Sequence, residues 1–177
     1  MKGRCKMKTP DFTADFLRQV LDYNPLTGVF TWKVNRSRQA KRGVVAGREI
    51  IVPDDHHVRI IGVKRKNYYA HRLAWYWMTS EWPTKQIDHK DCNALNNAWN
   101  NLRLATPYQN SMNQRKRKNN KTGFKGVSFH KRDKRFAASI RINGNLTWLG
   151  YFDTAEEAHA AYMAAARKHF GEFARAA

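Results

Sequence analysis

The sequence predicts an α+β protein, and three observations carry that prediction. Apolar residues recur at helical spacing near residue 16 and again beyond residue 155, segments rich in β-branched and aromatic residues fill much of the chain between them, and Asn, Gly and Pro punctuate the joints. With 177 residues, 42% hydrophobic and 12% aromatic, the chain can build one ordinary domain or two small ones with real cores.

The elements follow in order. FTADFLRQVLD (12–22) places Phe12, Phe16, Leu17, Val20 and Leu21 on one face of a helix. The turn NPLTG comes next, then VFTWKV (29–34) as a strand, and HVRIIGV (57–63) with NYYA (67–70) as a hairpin closed by the basic turn at 64–66. HRLAWYWM (71–78) reads as a short buried helix ending near Trp82 and Pro83. Its aromatics cluster instead of alternating with basic groups, which marks them as core and not as a base-stacking platform. Short apolar segments at Ile87 and at 102–105 flank a long polar loop. Thr106, followed by Pro107 and standing three before Gln109, then reads as the N-cap of a helix with a capping box. Three further strands are expected at 124–130, 135–142 and 146–152, the last two joined at Asn143-Gly144-Asn145. A helix runs from about residue 155 to 170, between a capping box at Thr154 and Glu157 and a terminating Gly171. Its alanines at 158, 161, 165 and 166 let it lie close against that three-stranded antiparallel sheet. By texture the chain divides into 1–85, 86–118 and 119–177.

The charge balance names the class of partner. With 33 basic and 14 acidic residues the formal charge is +19, far beyond what solubility requires, and the matching partner is a polyanion, nucleic acid before all others. A membrane surface is the competing polyanion, but no long apolar run and no basic helix with a broad apolar face is present. Ten of the basic residues against Asp133 alone fall between 111 and 135. The basic N-terminus is not followed by the apolar stretch of a secretory signal, so a cytoplasmic location is expected. Cys5 and Cys92 with His56, His57, His71 and His89 fit no closed zinc pattern, and no structural zinc is expected.

The segment QIDHKDCNALNNAWNNLRLATPYQN (86–110) carries an Asp-His pair and six asparagines. A phosphodiesterase built on one metal needs a hard cation held by oxygen ligands and a neutral imidazole that takes a proton from water. Asp88 beside His89 at a strand end meets part of that need, and Asn110 on the first turn of the capped helix offers an amide oxygen. Asn and Asp in the intervening loop can bond their own backbone and hold it in one shape. From the residues alone, a metal site and an ordinary Asx-rich loop stand equal.

The segment closely resembles the HNH endonuclease motif through Asp88-His89, Asn96-Asn97, Asn101-Leu102-Arg103, Ala105-Thr106 and Asn110, without a gap. LDYNPLTGVFTWK and AHRLAWY are similar to the N-terminal part that accompanies the motif in phage proteins. The resemblance implies a ββα-metal finger with a single Mg²⁺ or Mn²⁺ ion. It makes His89 the general base, Asp88 and Asn110 the metal ligands, and Asn101 the residue that braces the loop and orients the base. Asn in place of His at 110 favours a hard cation over zinc. Cys92 stands where the family often has Gly, so the turn there differs if it requires positive φ.

Residues 123–173 resemble the plant Apetala/ethylene-response-factor DNA-binding domain through GFKGV, RFAASIR, WLGYFDTAEEA and AYMAAA. The resemblance implies that the sheet enters the major groove of double-stranded DNA, with Lys125, Ser128, His130, Arg132, Arg135, Ser139, Arg141 and Trp148 facing it. Family arginines are replaced at Lys125, Ser128 and His130, so base specificity does not transfer. Arg115, Lys116, Arg117 and Lys118, between the two modules, are expected to track phosphates. The expectation is thus a metal-dependent, homing-type endonuclease that nicks or cuts duplex DNA, a monomer in solution and a dimer on DNA if one encounter cuts both strands. A DNA-binding regulator with an inactive finger is the alternative, and a basic RNA- or ribosome-associated protein a more distant one.

Overall fold

The computed structural model describes residues 9–53, 56–114, 116 and 120–175. Mixed α and β elements form two compact units, Met1–Ala105 and Thr106–Ala177. The HNH-like segment (86–110) runs across that division, whereas the Apetala-like segment (123–173) lies wholly in the second unit.

In the first unit, α1 (Ala14–Val20) begins at Thr13, whose hydroxyl accepts from the Phe16 N–H. The helix is shorter than its apolar spacing predicts. Leu21 turns extended at φ −126°, ψ 142° and opens β1 (Leu21–Asn24), which pairs antiparallel with β2 (Val29–Trp32). Leu21 is fully buried in either geometry, so the burial pattern alone did not separate a helix end from a strand start. The hairpin turn is fixed by Asn24, whose Oδ1 accepts from the N–H groups of Leu26 and Thr27.

A three-stranded antiparallel sheet follows in the order β3 (Arg48–Val52), β4 (His56–Val63), β5 (Lys66–Tyr69). The sequence reading did not include β3: its half-exposed, charge-led RE-IIV pattern lacks the alternation that marks a strand. The β4–β5 turn puts Lys64 and Arg65 at φ 44° and 62°, as a two-residue primed turn requires. α2 (Ala70–Thr79) leaves β5 directly and ends at Ser80 in the left-handed region. β6 (Gln86–His89) and β7 (Leu102–Ala105) pair antiparallel, with a 3-10 turn at Trp99–Asn101 between them. Leu17, Leu21, Phe30, Ile61, Val63 and Leu73 centre the core, and Ile87 and Leu102 root β6 and β7 in it.

In the second unit, α3 (Pro107–Met112) carries the expected capping box at Thr106 and Gln109. β8 (Val127–His130), β9 (Arg135–Ile142) and β10 (Asn145–Phe152) form an antiparallel sheet with β9 central, and α4 (Ala155–Phe170) packs on one face of it. Ala158 and Ala166 are fully buried at that contact. Gly126 at φ 77° lets the chain pass under Tyr162: a Cβ there would lie 2.0 Å from the ring. Among the described residues no helix is long and apolar enough to cross a membrane.

Candidate active site and nucleic-acid interface

β6 ends at His89, so the two adjacent site residues sit where the strand gives way to the polar loop. Asp88 and His89 are both buried, at 5% and 8% exposure. Buried charge needs a partner. Asp88 finds it directly across the ladder in Arg103, whose Nε and Nη2 donate to Asp88 Oδ2 at 2.9 and 2.8 Å.

His89 is held by an amide. Its Nε2 lies 3.2 Å from Asn97 Oδ1, and its ring stands edge-on to His71 at 5.2 Å. Burial lowers the His89 pKa below the ordinary imidazole value, against the opposing pull of the Asn97 bond, Asp91 and Asp88. His89 is therefore neutral at neutral pH, the state a proton acceptor needs. His71, stacked on Tyr69, is pushed well below its ordinary value by burial, then by His89 and Arg72.

The loop between β6 and β7 is organised around Asp91. Its Oδ1 accepts from the Asn93 N–H and from Asn101 Nδ2, and its Oδ2 from Asn96 Nδ2. Burial raises the Asp91 pKa, but these bonds outweigh it and the net shift is downward. Asn101 also donates to the Asn96 carbonyl and accepts from the Asp91 N–H. It braces the loop, and the amide that touches the imidazole is Asn97. Asn97 is 1% exposed, its carbonyl takes the Tyr23 hydroxyl at 2.7 Å, and Gly28 presses on its backbone so closely that a Cβ would lie 2.2 Å away. The Trp99 N–H reaches the Pro25 carbonyl at 2.8 Å. The β1–β2 hairpin is thus the floor of the loop. Cys92 does take positive φ, at 58°, where a Gly would be unstrained.

The structure joins Asp88, His89 and Asn101 in the first unit, while Asn110 lies on α3 in the second. α3 is tied there by Lys125, whose Nζ donates to the carbonyls of Met112 and Gln114, and by Tyr108, whose hydroxyl accepts the Asn143 N–H and whose ring meets Phe170. Sequence reasoning missed Asn97, Arg103 and Asp91 as functional positions. Cross-strand register would have flagged Arg103, but nothing in the sequence tells Asn97 from Asn96 or Asn101.

On the second unit, the β8–β9–β10 register sets Ser128, His130, Arg135, Ser139, Arg141 and Trp148 on the sheet face opposite α4. Tyr151 joins them, its ring 4.7 Å from Trp148 and 5.4 Å from His130. Lys125 is committed to α3, and Arg132 extends from the β8–β9 turn, its side chain 90% exposed. Lys116 donates to the Gly123 carbonyl. Arg115, Arg117 and Lys118 lie outside the described residues.

Residues 68–112 match the family model described as HNH endonuclease, and residues 122–172 match the one described as AP2 domain. Protein 3.8 of Escherichia phage T7 is 37% identical over 89 residues, which are 50% of this chain and 73% of that protein. The chain carries an HNH endonuclease domain and an AP2 domain. An uncharacterized HNH endonuclease of Acanthamoeba polyphaga mimivirus is 41% identical over 88 residues, and the chain spans only 44% of its length. A solved structure described as DNA binding and cleavage by the HNH homing endonuclease I-HmuI aligns over 53% of this chain and 51% of its own, at 25% identity and a TM-score of 0.37. The HNH endonuclease match takes in α2, β6, β7 and α3, and so spans both units. Both resemblances read from the sequence therefore hold, the second as an AP2 domain joined to the nuclease family match.

Proposed function

We propose that the chain is a divalent-metal-dependent endonuclease that hydrolyses phosphodiester bonds in duplex DNA and is positioned there by its AP2 sheet. The observation that carries this reading is the neutral, buried His89 fixed by Asn97 beside the Asp88 carboxylate, inside the HNH match. His89 accepts the proton of the attacking water, and Asn97 holds the ring in the orientation that receives it. In the ββα-metal finger that the motif implies, Asp88 and Asn110 would hold the ion through oxygen donors. Oxygen donors would suit a hard cation such as Mg²⁺ or Mn²⁺. Such an ion, when bound, supplies Lewis-acid stabilisation of the phosphate and of the leaving oxygen. Arg103 pairs with the buried Asp88 carboxylate and fixes its orientation. Asn101 acts through the loop. A cytoplasmic, homing-type role, 5′-phosphate and 3′-hydroxyl ends, and a monomer that nicks one strand per encounter belong to the same proposal.

Incubating supercoiled plasmid with the protein and with His89→Ala, under Mg²⁺, Mn²⁺ or chelator, tests it. Metal-dependent nicked or linear product, reduced at least about 100-fold in the variant, is expected for loss of a general base. Intact plasmid under every metal condition sinks the nuclease reading.

One observation favours a second reading, a DNA-binding regulator with an inactive finger: Asp88 already has a cation, Arg103, on its Oδ2. That reading predicts tight duplex binding in chelator, no cleavage, and no effect of His89→Ala.

A further inference from the structure

A basic loop in the first unit lies outside both family matches, which begin at residues 68 and 122. Residues 33–48, from the end of β2 to the first residue of β3, hold Lys33, Arg36, Arg38, Lys41, Arg42 and Arg48 and contain no Asp or Glu. A run of like charge is ordinarily a solvated, unstructured segment. This one is built. The Gly43 N–H reaches the Trp32 carbonyl at 2.7 Å, and the Trp32 N–H reaches the Val44 carbonyl at 3.0 Å. The Ala46 N–H bonds the Phe30 carbonyl, the Arg42 N–H bonds Asn35 Oδ1, and Thr31 bridges to Val45. Arg36 lies 5.0 Å over the Trp32 ring and donates to the Gly62 carbonyl, which ties the loop to β4.

That order leaves the other five cations on the outside. Lys33, Arg38, Lys41, Arg42 and Arg48 are all exposed, and among the described residues none of them forms an ion pair. Holding five like charges in one loop with no acid between them costs self-repulsion, which an anionic partner relieves. Because the backbone is already fixed, little ordering is left to offset on binding.

The loop's position relates it to the nuclease centre. β2 follows Gly28, which presses on Asn97, and ends at Trp32, which is bonded into the loop. The four residues of β2, at about 3.3 Å each, separate the two by roughly 13 Å. One strand of duplex DNA carries a phosphate about every 3.4 Å of axis, so the interval corresponds to about four phosphates. The charge is also not the AP2 domain's alone: the first unit has 19 basic and 9 acidic residues, the second 14 and 5.

We propose that the 33–48 loop binds the phosphate backbone of duplex DNA beside the nuclease centre, giving the first unit a grip of its own. The inference goes beyond the nuclease reading, since it concerns binding that needs no metal and no cleavage. The test is fluorescence anisotropy of the full chain on a labelled duplex in chelator, across a salt series. The test variant is Arg38→Gln/Lys41→Gln/Arg42→Gln, and Arg167→Gln/Lys168→Gln on the exposed side of α4 is the control. All five side chains are exposed, so both variants should fold, which circular dichroism verifies.

Each lost phosphate contact removes about 0.9 from the slope of log affinity against log salt, so the triple variant should lose roughly 2 to 3 while the control keeps the wild-type slope. An unchanged slope in the triple variant overturns the proposal, and so does a loss that the control matches charge for charge. The plasmid assay separates this result from the nuclease reading. A flattened slope with intact plasmid keeps the loop and removes the nuclease, whereas cleavage with an unchanged slope does the reverse.

Discussion

Asn97 connects the His89 imidazole to the rest of the first unit. It sits at the meeting of three constraints: the imidazole on its side chain, the Tyr23 hydroxyl on its carbonyl, and Gly28 against its backbone. Asn97→Ala removes the only one of these that reaches the ring. Cleavage should fall roughly 10- to 100-fold, as expected for a misaligned catalytic group, while duplex affinity in chelator stays at the wild-type value. An equal loss of affinity would show instead that the loop had collapsed. His71 gives a residue-scale prediction on stability. Its folded pKa is depressed, so the unfolded chain takes up a proton near pH 6.5 that the folded chain refuses. Its contribution is complete above that value and declines as pH falls below it, by up to about 1.4 kcal/mol per pH unit. Urea midpoints measured from about pH 7 to about pH 5 should therefore drop less steeply in His71→Phe than in the wild type, and parallel curves would refute the assignment.

Elements were legible in the sequence where one local signal decides them. The capping boxes at Thr106 and Thr154 sit where the Thr-x-x-Gln and Thr-x-x-Glu spacings put them, because the bonds that make them are closed within four residues. The alternation of β9 likewise separates Arg135, Ser139 and Arg141 from Phe136, Ala138 and Ile140 without any tertiary information. What stayed hidden depends on distant partners. Leu21 leaves α1 because it pairs with Trp32, and Lys125 turns onto the carbonyls of Met112 and Gln114. At the site, Asp88 and His89 were legible as a pair, but which of the loop asparagines holds the ring was not, since that depends on how the β1–β2 hairpin supports the loop. The docking of α4 gives the element-scale prediction. Gly126→Ala combines positive φ with a Cβ driven into Tyr162, so it should destabilise the second unit by at least about 1 to 3 kcal/mol and weaken duplex binding. An unaltered melting curve would mean that Tyr162 does not seal that contact.

For the whole molecule, two compact units share one strongly basic chain, and the split of charge between them is nearly even. Non-specific affinity for duplex DNA is carried by phosphate contacts and falls steeply with salt, so neither unit can dominate it. That balance bears on how a target is found. If each unit grips duplex DNA as proposed, then when one lets go the other still anchors the chain, and the freed unit samples nearby DNA at the high effective concentration of a tethered ligand. Such a molecule would search by stepping from segment to segment, and its rate of escape should then rise with the amount of competing DNA offered to the idle unit.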